Sequence, residues 1–271
     1  MSKRIAFIGG GNMASAIIGG LIGQGFAPDC IDVVEPFPEA RDKLNTSYGI
    51  TAQAQPGAFL AQANLVIWAV KPQTFKEAAL QVQPHTRTAL HLSVAAGIRS
   101  DSISGWLGTE RVVRAMPNTP ALIGKGMTAL FARPAVTAQD KDWVSQVIGT
   151  TGEFLWLTAE DQLDAVTALS GSGPAYMFYF MEAMADAGAD MGLPRAQAYQ
   201  LAVATFIGAG ELARCSGEPP EILRQRVTSK GGTTYAAITS MEKDNIKAQF
   251  AHAMHAARQR AKELGDEFGG V

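Results

Sequence analysis

The sequence is poor in the residues that most often build reactive or metal-binding sites. Among 271 residues there are two cysteines and four histidines. Cys30 and Cys215 stand far apart, which excludes a disulfide framework and a CxxC zinc site. His252 and His255 are three residues apart, but no H-E-x-x-H pattern or matching carboxylates surround them, so no metal is expected. Neither sign of charge dominates: 23 Lys and Arg stand against 25 Asp and Glu. That balance offers no basic surface for nucleic acid. No uninterrupted apolar run reaches the roughly 20 residues that span a bilayer, so no membrane partner is expected either. Internal repeats and low-complexity stretches are also absent.

What is present is 47% hydrophobic and 18% charged residues, the profile of a globular protein with a sizeable core. The length favours two domains. The expectation is a cytoplasmic, enzyme-sized protein.

The first part alternates strand and helix signals. Ile5–Ile8 is an apolar run stopped by glycine, as in a buried parallel strand. Ile31–Val34, Leu65–Val70, Ala89–Val94 and Arg111–Met116 continue the series, with weaker candidates at Gly126–Phe131 and Phe154–Leu157. Helical segments lie between most of them. This is the pattern of an α/β Rossmann-type, doubly wound parallel sheet. Beyond about residue 160 no convincing strand remains. Helices are expected over 161–191 (interrupted at Gly171–Pro174), 195–215, from 218, after the loop 229–234, and over 245–264. The division is therefore a dinucleotide-binding domain over 1–160 and a helical domain over 161–271. Val166, Leu169, Tyr176, Met177, Phe178, Phe180, Met181 and Met184 make the segment from Asp164 to Met191 apolar on nearly every face. Such a helix is buried on all sides. A small helical domain has few places to hide it, so a homodimer joined through that domain is expected.

Gly9-Gly10-Gly11-Asn12-Met13-Ala14 fits G-x-G-x-x-A between a strand and a helix. Gly9 suits the tight turn, Gly11 close backbone approach to a pyrophosphate, and Ala14 close packing of helix on strand. The helix N-terminus then offers free N–H groups to the phosphates of NAD(H) or NADP(H). Glu35, at the end of the second strand, is placed to accept from ribose hydroxyls, which leans towards NADH. Pro36 and Phe37 offer nothing to a 2′-phosphate; Arg41 and Lys43 lie further along. Ala69-Val70-Lys71-Pro72, Ala95-Ala96-Gly97 and Met116-Pro117-Asn118-Thr119-Pro120 follow later strands, whose C-terminal ends face the cofactor crevice. Asn118 carries both donors and acceptors where nicotinamide is expected.

These motifs occur in order with Leu169-Ser170-Gly171-Ser172-Gly173-Pro174-Ala175-Tyr176 and Val227-Thr228-Ser229-Lys230-Gly231-Gly232-Thr233-Thr234. Together they closely resemble pyrroline-5-carboxylate reductases over nearly the whole chain. The resemblance implies reduction of the C=N bond of 1-pyrroline-5-carboxylate to L-proline by NAD(P)H, the last step of proline biosynthesis. It implies interlocked dimers, often assembled into decamers of five dimers. It also implies substrate contacts at Ser229, Gly231, Gly232, Thr233 and Thr234, with Thr234 the catalytic candidate beside the ring nitrogen. From the residues alone, Ser and Thr ahead of a helix more often cap it. Pro56, Arg226 and Gly217 depart from residues that some relatives carry.

Two other readings stay open on the residues. A β-hydroxyacid dehydrogenase pairs similar domains but needs a lysine early in the linking helix, and none lies between Gly173 and Arg195. A non-catalytic NAD(P)-sensing protein would have no use for the Ser229–Thr234 loop. The sequence leaves open the cofactor preference, the assembly beyond a dimer, control by proline and activity on related imines.

Overall fold

The computed structural model describes residues 3–269. Its sheet has seven strands: β1 (Ile5–Ile8), β2 (Ile31–Val34), β3 (Leu65–Trp68), β4 (Leu90–Ser93), β5 (Val112–Met116), β6 (Gly126–Ala132) and β7 (Gly152–Trp156). Their spatial order is β2-β1-β3-β4-β5-β6-β7. Strands β1 to β5 pair in parallel, with Phe7 opposite Val33 on one side and Ile67 on the other. β1, β3 and β4 are buried along their full length, which is why β1 and β3 read as unbroken apolar runs; β4 alternates, with His91 and Ser93 buried polar residues.

Both faces of the sheet are covered by helices. On one face lie α1 (Asn12–Gly23), α2 (Pro38–Tyr48) and α5 (Ala138–Gly149), through Ile17, Ile18, Leu44, Val144 and Val147. On the other lie α3 (Pro72–Val82) and α4 (Ser100–Leu107), through Phe75, Ala79, Ile103 and Leu107. The helix ends follow local chemistry. Pro38 and Pro72 open α2 and α3, where a missing N–H costs nothing. Thr137 and Asp140 form a reciprocal capping box at α5. Gly49 and Gly108 close α2 and α4 in the left-handed conformation.

Two strands depart from the expected all-parallel sheet, since β6 and β7 both run opposite to β1–β5. β6 runs antiparallel to β5, with Arg114 opposite Phe131, and β7 then pairs parallel to β6. Only residues 117–125 connect β5 to β6, and a parallel crossover needs about a dozen residues or more.

After β7 the described chain is helical: α6 (Gln162–Val166), a π-helical turn (Thr167–Gly171), α7 (Gly173–Asp190), α8 (Arg195–Ser216), α9 (Pro220–Arg226), α10 (Thr233–Lys243) and α11 (Ile246–Phe268). The changeover from strand to helix falls near residue 160, as the sequence suggests, but compact packing divides the chain elsewhere. One unit runs up to Ser172 and takes in the chain from Ala257 on; the other is Gly173–Ala256. The last turns of α11 belong to the sheet unit because they pack on the loop after β4. A Cβ on Gly97 would lie 2.9 Å from that of Leu264, Arg99 pairs with Asp266, and Ser102 Oγ donates to the Gly269 carbonyl at 2.7 Å. Glu160 ties β5 to α4 within the same unit. It accepts from Arg114 and from the Ser100 N–H, each at 2.6 Å.

Within the helical unit, α7 and α8 form an antiparallel hairpin. It closes so tightly that a Cβ on Gly188 would sit 2.7 Å from that of Ala198. Tyr176 and Phe180 each meet Phe250 at 5.6 Å between ring centres.

His91, on β4, is a satisfied core residue. Its Nδ1 accepts from Trp68 Nε1 at 3.1 Å, and Trp68 in turn stacks on Phe75. Burial disfavours the imidazolium and lowers the pKa from 6.5 to about 4. Below pH 6.5 the unfolded chain takes up a proton that the folded chain refuses until about pH 4. Stability present at neutral pH is therefore lost across that window, by about 3 kcal/mol at most from this group. Denaturant titrations between pH 7 and pH 4 should show this slope, and His91→Gln should flatten it.

Candidate active site

The strand order reverses between β2-β1 and β3, and the crevice opens there, at the C-terminal strand ends. It holds about 740 Å³ and is lined by Gly9, Gly11, Glu35, Phe37, Ala69, Val70, Lys71 and residues of α3. All of it belongs to the sheet unit.

Each glycine of the fingerprint has its own constraint. Gly9 has φ +94, and a Cβ there would lie 2.6 Å from the Ala69 carbonyl oxygen. Only glycine makes that turn. A Cβ on Gly10 would press on Leu44 at 2.7 Å. Gly11 differs: its backbone is ordinary and no protein atom lies within 4 Å of an added Cβ. The space that Gly11 leaves open borders the crevice. Gly11 is also the N-cap of α1 and gives it no side-chain cap. The first N–H groups of the helix, at Asn12, Met13 and Ala14, are left for an anion. Ala14 is fully buried where α1 meets the sheet. This donor set fits the pyrophosphate of a dinucleotide.

Glu35 is 5% exposed. Its Oε2 accepts from the Gly10 N–H at 2.7 Å and its Oε1 from the Phe37 N–H at 2.9 Å. The carboxylate thus ties the glycine turn to the β2–α2 loop. Two of its roughly four acceptor positions remain. Arg41 does not reach out freely: its NH1 donates to the carbonyls of Glu35 and Pro36 at 2.9 and 2.8 Å.

Lys71 is exposed at the N-cap of α3, and its side chain makes no ion pair among the described residues. Pro72 opens that helix beside it. Ala95 and Ala96 follow β4, and Ala95 is buried with its N–H on Ser93 Oγ at 3.3 Å. Asn118 follows β5, with its amide engaged by the protein: Oδ1 accepts from the Met127 N–H at 2.9 Å and Nδ2 donates to the Ser170 carbonyl at 3.1 Å.

Ser229, Gly231, Gly232, Thr233 and Thr234 gather in the helical unit, at the start of α10. Gly231 has φ +80, and Gly232 turns back so that its N–H bonds the Ser229 carbonyl at 3.0 Å. The N-cap of α10 is Gly232, with no side-chain cap. Thr233 and Thr234 are exposed, and their hydroxyls make no hydrogen bond among the described residues. The simple capping role is therefore not taken up.

Gln55, Thr74, Glu77 and Gln81 also line the crevice and were not singled out in the sequence. The α3 group had a readable signal, since Thr74, Glu77, Ala78 and Gln81 share one face at helical spacing. Gln55 had none. It is brought there because residue 53 bridges to the edge of β2, through Glu35 N–H to the Gln53 carbonyl at 2.8 Å. Among the described residues no His, Cys, Asp and Glu cluster could hold a metal ion, and no helix is long and apolar enough to cross a membrane.

Residues 4–97 match the family "NADP oxidoreductase coenzyme F420-dependent", and residues 160–264 match "Pyrroline-5-carboxylate reductase dimerisation". A pyrroline-5-carboxylate reductase of Pseudomonas aeruginosa is 43% identical over 99% of both chains. The chain belongs to the pyrroline-5-carboxylate reductase family. A solved reductase of this name from Coxiella burnetii superposes with a TM-score of 0.91 over the full length of both chains, at 36% identity. That of Plasmodium falciparum, solved with NADP bound, gives 0.87 at 26% identity over 97% of this chain and 98% of the other.

Gly11→Ala should separate ligand from protein constraints. Its stability should stay within about 1 kcal/mol of wild type, the cost of alanine for glycine at an N-cap, since the methyl meets no other protein group. Its affinity for NADPH should drop by about tenfold or more, since the new methyl occupies the phosphate approach. Gly9→Ala should lose stability instead, by about 1–3 kcal/mol. Thermal unfolding and NADPH fluorescence titration of both variants check the pair.

Proposed function

We propose that this protein reduces 1-pyrroline-5-carboxylate to L-proline with NAD(P)H, the final step of proline biosynthesis. Family membership supports this reading, and the observation that carries it is the start of α10. There, an uncapped helix N-terminus and two unbonded threonine hydroxyls stand on a glycine turn, with no partner for them among the described residues. A small anion bearing one more polar atom on an apolar ring matches that set.

When bound, reduced nicotinamide would supply the hydride for the imine carbon, and the ring nitrogen would take up a proton. The chain supplies position and electrostatics. The N–H groups of Asn12, Met13 and Ala14 hold the pyrophosphate, with Gly9, Gly10 and Gly11 shaping the turn. The remaining acceptor positions of Glu35 meet the adenosine ribose. Ala69, Val70, Lys71 and Pro72 form one wall of the crevice, and Ala95 and Ala96 let backbone approach the nicotinamide end. In the helical unit, Gly231 and Gly232 with Ser229 and Thr233 bind the carboxylate. Thr234 hydrogen-bonds the ring nitrogen. A hydroxyl of ordinary acidity orients that atom, or relays its proton from water, rather than acting as a strong acid.

The working form is a homodimer closed through the helical unit, in the cytoplasm, with a decamer of five dimers as the larger assembly. The helical unit leaves much apolar surface uncovered. Phe178 is 63% exposed, Tyr179 70% and Ile207 66%. Only Ala185, Gly188, Ala198 and Ala202 are buried along α7 and α8, and nothing along α9 and α10. So large an apolar area needs a cover, and an isologous second copy supplies it.

Purified protein mixed with pyrroline-5-carboxylate should oxidise NADPH or NADH, followed separately by absorbance; no turnover with either would refute the reading. Thr234→Ala should lower kcat/KM for the imine by about tenfold or more while NADPH affinity holds. An unchanged kcat/KM removes Thr234 from the mechanism. In sedimentation velocity the wild type should run as a dimer or larger, and Phe178→Glu should shift it towards monomer, as expected for a charge placed in an apolar interface.

A further inference from the structure

Asn118 looks in the sequence like a group held out to the cofactor, yet the nitrogen and the oxygen of its amide each already hold a hydrogen bond to backbone. Pro117 and Pro120 flank it and fix the backbone φ on either side, so the loop has a shape of its own. The Asn118 side chain instead reaches across to the π-helical turn Thr167–Gly171 and takes the Ser170 carbonyl. That carbonyl needs a donor. Its α-helical partner would be the N–H of residue 174, which is Pro174 and has none. Asn118 Nδ2 fills the gap at 3.1 Å, while its Oδ1 is anchored on β6 by the Met127 N–H at 2.9 Å.

The turn is pressed onto the same strand end. A Cβ on Gly171 would come within 2.5 Å of the Met116 methyl, and the Ser172 N–H closes the π turn on the Thr167 carbonyl at 2.8 Å. π-helical turns recur at functional sites, where they re-aim a short stretch of backbone. Here the place is the C-terminal end of β5. In the order β2-β1-β3-β4-β5 this end lies away from the adenosine crevice, on the side where the nicotinamide half of a dinucleotide extends.

We infer that Asn118 is a positioning residue for hydride transfer, acting through the π turn at Ser170–Gly171 rather than by bonding the cofactor. The inference rests on the reductase reading above. Held at both ends, the amide fixes the backbone of residues 170–172 beside the reacting end of the crevice. Without it the turn carries an unpaired carbonyl and shifts. Misplacement on the scale of an ångström is enough to slow a reaction that depends on close approach.

Asn118→Asp tests this, because it keeps an acceptor for the Met127 N–H and sets a carboxylate oxygen, which cannot donate, against the Ser170 carbonyl. Asn118→Ala loses both bonds. With pyrroline-5-carboxylate and NADPH saturating, kcat of the Asp variant should fall by about tenfold or more, while its NADPH Kd, read by fluorescence, stays within about threefold. The primary isotope effect with 4-deuterated NADPH should rise, as the chemical step becomes limiting; a loss of stability alone would not move it. A Kd weakened by about tenfold or more would overturn the inference in favour of direct cofactor contact. A kcat within about twofold of wild type would overturn it outright. If Asn118→Ala does not fold, Asn118→Asp decides alone. Failure of the wild type to turn over the imine is a separate result and counts against the reductase reading itself.

Discussion

The hydrogen bond from the Gly10 N–H to the carboxylate of Glu35 is the contact on which the cofactor end of this protein depends. It joins the turn after β1 to the end of β2, the two strands that flank one side of the crevice. The charge-assisted bond is short and buried, the kind that holds geometry rather than merely adding stability. It leaves Gly11 at the mouth of α1 with its own space clear. The crevice can therefore be organised before any ligand arrives, which lowers the ordering cost of binding.

Asn118 repeats the device after β5. Both residues carry polar groups that suggest a ligand, and both give their first hydrogen bonds to backbone. In a reductase whose cofactor carries the chemistry, protein side chains mostly have to keep glycine-rich segments in place. Glycine turns are chosen because backbone must approach closely, and they cannot hold themselves rigid. Neighbouring polar side chains supply that rigidity.

Much of this was legible in the sequence. The turn at Gly9–Ala14 was readable because strand, glycine spacing and helix occur together, and each places a steric demand that few other residues meet. The strands β1 and β3 were readable as apolar runs because both their faces are covered. The direction of β6 was not taken from its own residues, since Gly126–Ala132 reads the same either way up; the short connection over 117–125 held the information. The hydrogen bonding of Glu35 and Asn118 was not legible. Sequence gives a side chain's chemistry but not which backbone amide will come within 3 Å of it. The partners of the last turns of α11 were likewise hidden, because a helical period says which face is apolar and not what it will meet.

Those last turns have a consequence for how the chain is made. The sheet unit is discontinuous: its core strands lie in the first 156 residues, yet Leu264, Asp266 and Gly269 complete the packing around Gly97, Arg99 and Ser102. During synthesis the whole helical unit must emerge before those contacts close. The nascent Rossmann unit therefore waits, nearly finished, with the surface after β4 uncovered. A chain truncated before residue 257 would lose contacts from the unit it never seemed to belong to. Contacts of such wide sequence separation are costly to close and slow to form. Final closure of the nucleotide-binding half is thus a late event, set by the arrival of a helix that follows the whole other unit in the sequence.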